Sequence, residues 1–205
     1  MLDIKAIEKA AELIKKGKIV AVPSDAVYGL AADATSDSAV KKIYRIKGRS
    51  PNNPLTINVP NVKMLQKMAH LGAKAEKLIA AFWPGSLTIV LPIKASAKLS
   101  KWLLAGRPTL GVRIPSHPII IELMKYLDTL IISTSANVSG RPSPLNAAMV
   151  REQIGDKIDF VLDGGPTSLQ EHSTIIDLSQ DMPILVREGP VKIEEIERII
   201  GKVAI

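Results

Sequence analysis

Four short polar stretches of the chain hold side chains that could do chemistry. Lys47 and Arg49 stand two residues apart at the end of a helical pattern. A compact ammonium beside a planar fork of donors suits an oxyanion, either phosphate or carboxylate. A basic helix end also produces such a pair with no ligand at all, so it needs support from a second segment. The stretch from Ser133 to Pro144 supplies one: Ser133, Thr134, Ser135, Asn137, Ser139, Arg141 and Ser143 follow directly on the apolar run Leu130, Ile131, Ile132. Hydroxyls and free backbone N–H groups leading from a buried strand into a helix N-terminus would form an anion cradle. Capping of the helix after Pro144 would account for Ser143 alone, and leaves the polar residues behind the strand unexplained. The other two stretches are Pro23–Gly29, with Ser24, Asp25 and Tyr28, and Arg113–His117.

Several kinds of chemistry lack their signatures. There is no G-x-x-x-x-G-K-[ST], no G-x-G-x-x-G and no G-x-S-x-G, which removes a P-loop, a Rossmann dinucleotide site and a hydrolase nucleophile elbow. The chain has no cysteine, which excludes disulfides, thiolate zinc, iron–sulfur clusters and a thiol nucleophile. His70, His117 and His172 lie far apart, without metal-ligand spacing, and are assigned surface or structural roles. Asp163-Gly164-Gly165 and Arg187-Glu188-Gly189 read as turns at strand ends.

The elements that must position these residues follow from the pattern of the 205-residue chain. Ile4, Ile7, Ala10, Ala11 and Ile14 repeat at helical spacing up to about Lys16, and a strand follows at 19–22. A loop is expected over 23–35, then a helix capped by Ser36 or Asp37 and stopped at Gly48. Strands are predicted at 55–59, 87–91, 110–114, 130–132, 160–162, 174–178 and 184–186, with helices at 62–69, 73–82, 119–127 and from Val191 or Lys192 to Ile200. Helices and strands alternate, but the late strands follow one another, which predicts an α/β fold with a mixed sheet. In open α/β folds loops at strand ends converge on one crevice, so the polar stretches are expected to share a site.

Charge is distributed unevenly along the chain. The total is +7, yet between Ser38 and Ile121 fourteen Lys and Arg face a single acid, Glu76, giving that segment +13 and the remainder −6. Such polarity suits anions: nucleotide phosphates, small carboxylates or nucleic acid. With only seven aromatics, a stacking platform for single-stranded nucleic acid is disfavoured. No apolar run approaches the roughly 20 residues of a membrane span, and the amphipathic N-terminus carries Asp3, Glu8 and Glu12, so a cytoplasmic protein without membrane association is expected.

Taken in order, the polar stretches resemble one family, the YrdC-like threonylcarbamoyl-AMP synthases. The matching segments are Pro23–Leu30, Ile46–Arg49 with Asn53-Pro54-Leu55, Trp83–Thr88, Val112–Pro118, Ser133–Asn137 on to Pro144, Ser173–Asp177 and Arg187–Pro190. The resemblance implies a twisted mixed β-sheet with helices on its faces around one deep basic cavity, in a single catalytic domain over residues 1–205. It also implies an activity: L-threonine, bicarbonate and ATP give threonylcarbamoyl-AMP and pyrophosphate. Mg²⁺ arrives with the ATP, and a separate threonylcarbamoyl transferase complex modifies an adenosine of tRNA.

Carried over by position, Lys47 and Arg49 are the catalytic pair. Arg49, Asn53, Thr109, Ser135, Ser143 and Arg187 are the ATP contacts, and Ala26, Asn58, Arg113, Ser133 and Ser173 surround threonine, with Arg113 as carboxylate clamp. The sequence departs from the family at Ala26, usually Thr, at Asn58, frequently His, and at Asp25, commonly Glu, which puts amino-acid choice on the first two. A non-catalytic protein binding tRNA or double-stranded RNA through the basic segment is the alternative reading. A carbamoyl-transfer module like that of hydrogenase-maturation proteins fits less well, because the zinc-binding cysteines are absent.

Overall fold

The computed structural model describes residues 3–167 and 171–205. Asp3 caps the first helix, α1 (Ile4–Lys15), by accepting from the Ala6 N–H, and the chain enters β1 (Val20–Val22). The expected loop over 23–35 contains a short strand, β2 (Gly29–Ala31), paired antiparallel with β1. Three residues flanked by polar turns are too few to register as a period. Ser36 caps α2 (Asp37–Lys47), and Gly48, at φ +57°, ends it in the left-handed conformation that glycine takes without strain. The chain therefore turns away immediately after Lys47.

There follow β3 (Thr56–Asn58), α3 (Val62–Met68), α4 (Ala73–Phe82), β4 (Leu87–Pro92), β5 (Thr109–Arg113) and α5 (Pro118–Lys125). The strand predicted at 130–132 is β6 (Ile131–Ser135), and it runs on through Ser133, Thr134 and Ser135, which were expected in a loop. Hydroxyl side chains stay in a strand when one sheet face is polar, as here. Next, α6 (Ala147–Ile154) is capped by Asn146, whose side chain accepts from Met149 N–H, and not by Ser143. The chain closes with β7 (Phe160–Val161), β8 (Thr174–Asp177), β9 (Ile184–Arg187) and α7 (Ile193–Ile200).

The strands form one nine-stranded sheet in the order β7-β1-β2-β6-β3-β5-β4-β8-β9, with both parallel and antiparallel pairs. On one side α1 and α5 pack Ile7, Ile14, Leu123 and Met124 against Val20, Val22, Ala31 and Ile131. A larger core joins Val40 and Ile43 of α2, Leu65 of α3, Leu78 of α4 and Ile196 of α7 to Ile57, Leu87, Ile89, Val112 and Ile176.

Strand alternation is what makes a site. In β3, β4, β5 and β8, Ile57, Ile89, Val112 and Ile176 enter the core, whereas Thr56, Asn58, Thr88, Gly111, Arg113 and Asp177 point to the other face. Registry aligns the latter into rows. Asn58 pairs with Arg113 across β3 and β5, while Ser133, Thr56, Gly111, Val90 and Asp177 continue from β6 to β8.

Candidate active site

These rows floor a cavity of about 690 Å³. All twelve site residues carried over from the resemblance line it, as does Arg141 of the hydroxyl-rich stretch, together with Arg107, His172 and Asp177, which sequence reasoning had not placed in a site. Among the described residues, six cationic residues and one carboxylate, Asp177, face the space. The charges are felt: the Arg187 guanidinium has its pKa lowered by burial first, then by Arg113 and Arg49. Guanidiniums from three separate loops and strands thus crowd one volume, an arrangement that an anion would relieve.

Lys47 is 2% exposed, and its ammonium is bonded to the Ser135 carbonyl and, at 3.0 Å each, to the Asn137 carbonyl and Asn137 Oδ1. Burial, with a smaller contribution from Arg49, lowers its pKa to about 8. Ser135 Oγ donates to Asn137 Oδ1 at 2.6 Å, and Ser139 N–H donates to the Lys47 carbonyl at 2.8 Å. The hydroxyl-rich stretch is therefore shaped around the lysine, and its hydroxyls are presented by β6 and the turn after it. The helix N-terminus expected to complete the cradle is occupied by the Asn146 cap. Beyond the Gly48 turn, Arg49 lies on the cavity wall, steadied by the carbonyls of Asn53 and Pro54 at 3.3 and 2.9 Å.

At the opposite end of the floor, Arg113 makes a bidentate pair with Asp25, at 3.1 Å from NH1 to Oδ2 and 2.9 Å from NH2 to Oδ1. Both residues are buried, and Ser86 Oγ donates to Asp25 Oδ2 at 2.8 Å. The fork is thereby held rigid, with its charge balanced from behind. Beside it Asn58 is buried at 1% exposure, with an Oδ1 that has no hydrogen-bond partner among the described residues. A buried unpaired acceptor in a cavity wall invites a ligand donor. Ser173 Oγ lies 2.8 Å from Thr88 Oγ1, and its carbonyl accepts from Arg187 Nε and NH2 at 3.0 and 2.7 Å.

Other candidates serve the scaffold. Ser24 Oγ closes a local turn with Val27 O and Ala26 N–H, and Tyr28 OH bridges Gly165 O and Gly164 N–H. His117 Nδ1 accepts from Ile119 N–H at the start of α5. His172, in contrast, is at the cavity, 3.0 Å from Ser143 Oγ. Burial, then Arg187 and Lys47, lowers its pKa, which favours the neutral ring.

Crowded guanidiniums, a clamped arginine and an orphaned amide in one cavity of a mixed-sheet α/β protein offer groups that can pair with anions and with a ligand's hydrogen-bond donors. Comparison with known proteins gives that class its family. The family model described as Sua5_yciO_yrdC, telomere recombination, matches residues 12–189. The chain belongs to this family. It is 42% identical over 200 residues to the threonylcarbamoyl-AMP synthase of Pyrococcus abyssi and 39% identical over 198 residues to that of Bacillus subtilis. Those alignments cover 97% and 96% of this chain but 58% and 57% of the relatives, so the chain spans somewhat more than half their length. The crystal structure of P. abyssi Sua5 complexed with L-threonine superposes with a TM-score of 0.95 at 40% identity, covering all of this chain and 60% of that one.

Proposed function

We propose that this chain is an L-threonylcarbamoyladenylate synthase. The threonine ammonium first gives up a proton, and the free amine attacks the carbon of bicarbonate; a C–N bond forms and water leaves, giving a carbamate. A carbamate oxygen then attacks the α-phosphorus of ATP as the bond to the β-phosphate breaks and pyrophosphate departs. No protein nucleophile is required, and catalysis consists of positioning and charge stabilisation.

The observation that carries this reading is the division of the cavity floor. Arg113, with the unpaired Asn58 Oδ1 beside it, offers a carboxylate clamp and a donor acceptor at one end. Along β5 the floor continues from Arg113 through Gly111 to Thr109, a run of about 13 Å at the usual strand rise. Arg49, Ser135 and Ser143, with Lys47 shaping the loop between the two serines, suit a triphosphate at the other end. Mg²⁺ enters as part of the substrate, MgATP, whose triphosphate provides its ligands. Among the described residues no three His, Asp or Glu converge on a metal position.

The product is an activated adenylate that serves a separate threonylcarbamoyl transferase complex acting on tRNA, and the setting is cytoplasmic. Among the described residues no helix is long and apolar enough to cross a membrane. The test is pyrophosphate release with labelled bicarbonate. It should require threonine and bicarbonate together, and release from ATP without threonine would sink the assignment. Direct contact of the basic segment with tRNA or double-stranded RNA would appear separately, as affinity falling linearly on a log–log plot against salt.

A further inference from the structure

We infer that the β4–β8–β9 end of the cavity is the nucleoside subsite, and that Asp177 selects the nucleotide by accepting hydrogen bonds from the nucleoside's own donors. The inference rests on the proposed use of ATP and adds where the nucleoside lies and which residue reads it.

The first observation is a charge of the wrong sign. Asp177 is the one carboxylate among residues that otherwise bring Lys47, Arg49, Arg107, Arg113, Arg141 and Arg187 to the cavity. Among the described residues it forms no ion pair with any of them. A carboxylate repels phosphates and carboxylates alike, so it faces a part of the ligand that carries N–H or O–H groups instead. Its Oδ1 accepts from Ser179 N–H at 2.8 Å and closes a turn, which leaves Oδ2 for a ligand.

The second observation concerns the surface next to it. Val186 is a large aliphatic residue 58% exposed, although it lies on the cavity wall. A bulge causes this: Ile175 pairs with Arg187 and Ile176 with Leu185, so Val186 is the extra residue of β9. A regular strand would send Val186 and Arg187 to opposite faces, whereas here the two consecutive side chains both line the cavity. Val186 joins Val90 and Ile175 in an apolar patch beside Asp177, with the Thr109 hydroxyl nearby on β5. An apolar surface edged by one carboxylate and one hydroxyl matches a purine nucleoside, which has an apolar face and a rim of donors. It matches neither a triphosphate nor a small amino acid.

The carboxylate has two sets of nucleoside donors to choose from, the adenine amino group and the ribose hydroxyls. Titration calorimetry with ATP, GTP and 2′-deoxy-ATP on the wild type, Asp177→Asn and Val186→Glu tests the subsite and separates them. Asn keeps the acceptor that Ser179 uses, and position 186 is exposed, so neither change threatens the fold.

ATP affinity should fall about tenfold or more in both variants, with L-threonine affinity unchanged. Loss of the ATP-over-GTP preference in Asp177→Asn identifies the amino group as the donor, and loss of the ATP-over-deoxy-ATP preference identifies the 2′-hydroxyl. Unchanged ATP affinity in Asp177→Asn, or a loss confined to threonine, overturns the inference and leaves the proposed function standing. A wild-type protein that binds no nucleotide would instead remove the function on which the inference rests.

Discussion

The ammonium of Lys47 reaches both the main-chain oxygen and the side-chain oxygen of Asn137, each at 3.0 Å, while a third bond goes to the Ser135 carbonyl. An ammonium has three donors, and all three are committed to one loop. Lys47 therefore acts first on the protein, fixing Ser135 and the turn behind it, and leaves direct phosphate contact to Arg49.

Activity should consequently fall as pH rises through about 8, where Lys47 loses its third donor. A bound polyanion favours the charged form, so saturating ATP should move that limb to higher pH. Stability runs the other way. Between pH 8 and 10.5 the unfolded chain holds a proton that the folded chain lacks, so this group's contribution rises with pH across that window, by an amount of order 3 kcal/mol. A kcat–pH profile alongside urea melts at pH 7 and 9 checks both signs, and Lys47→Ala should abolish the activity limb.

Asp25→Asn should cost about 3–5 kcal/mol in chemical denaturation, because it leaves the buried Arg113 without its counter-charge. A carboxylate ligand can supply what the mutation removes. L-Threonine should therefore raise the melting temperature of the variant more than that of the wild type, and equal increments would place the ligand carboxylate elsewhere.

Asn58→Leu should leave the free protein as stable as the wild type or more so, since the unpaired Oδ1 costs about 1–3 kcal/mol where it stands. The same variant should lose most of its stabilisation by threonine. Thermal shift with and without the amino acid reads both effects, and a variant that is destabilised yet still binds threonine fully would contradict them.

Gly111→Ala would bring a Cβ to 2.7 Å from Thr56 Cγ2 in the middle of the floor. Overpacking of this kind costs about 1–3 kcal/mol. Combining it with Thr56→Ser removes the offending methyl and keeps the hydroxyl that donates to the Ser133 carbonyl, so the double variant should recover most of the loss in a denaturant titration.

Most helices and strands were legible because their apolar period is strong, as in Ile7, Ala10, Ala11 and Ile14. What escaped was polar: β2 hid inside a turn-rich stretch, and the last three residues of β6 resembled a loop because their hydroxyls face a cavity. The motif residues were readable from type and order, but Asp177, Arg107 and His172 join the site through sheet registry and chain return, which linear spacing does not encode. A signal for the floor did exist. In Thr174–Asp177 core and cavity residues alternate, and alternating polar and apolar residue types in β3 and β5 mark one face as polar. Sequence reading considered Ser143 as the cap of α6, whereas the backbone path brings Asn146 to that position.

Burial first, and then the charges of Arg113 and Arg49, lower the pKa of the Arg187 guanidinium in the space the three share. Like charges held together by a fold are relieved by screening, whereas ordinary surface ion pairs are weakened by it. The free protein should therefore grow more robust as salt is added, and sulfate should do more than chloride at equal ionic strength. In a phosphate buffer the cavity would already be partly neutralised, and the affinity measured for any substrate would be a displacement constant.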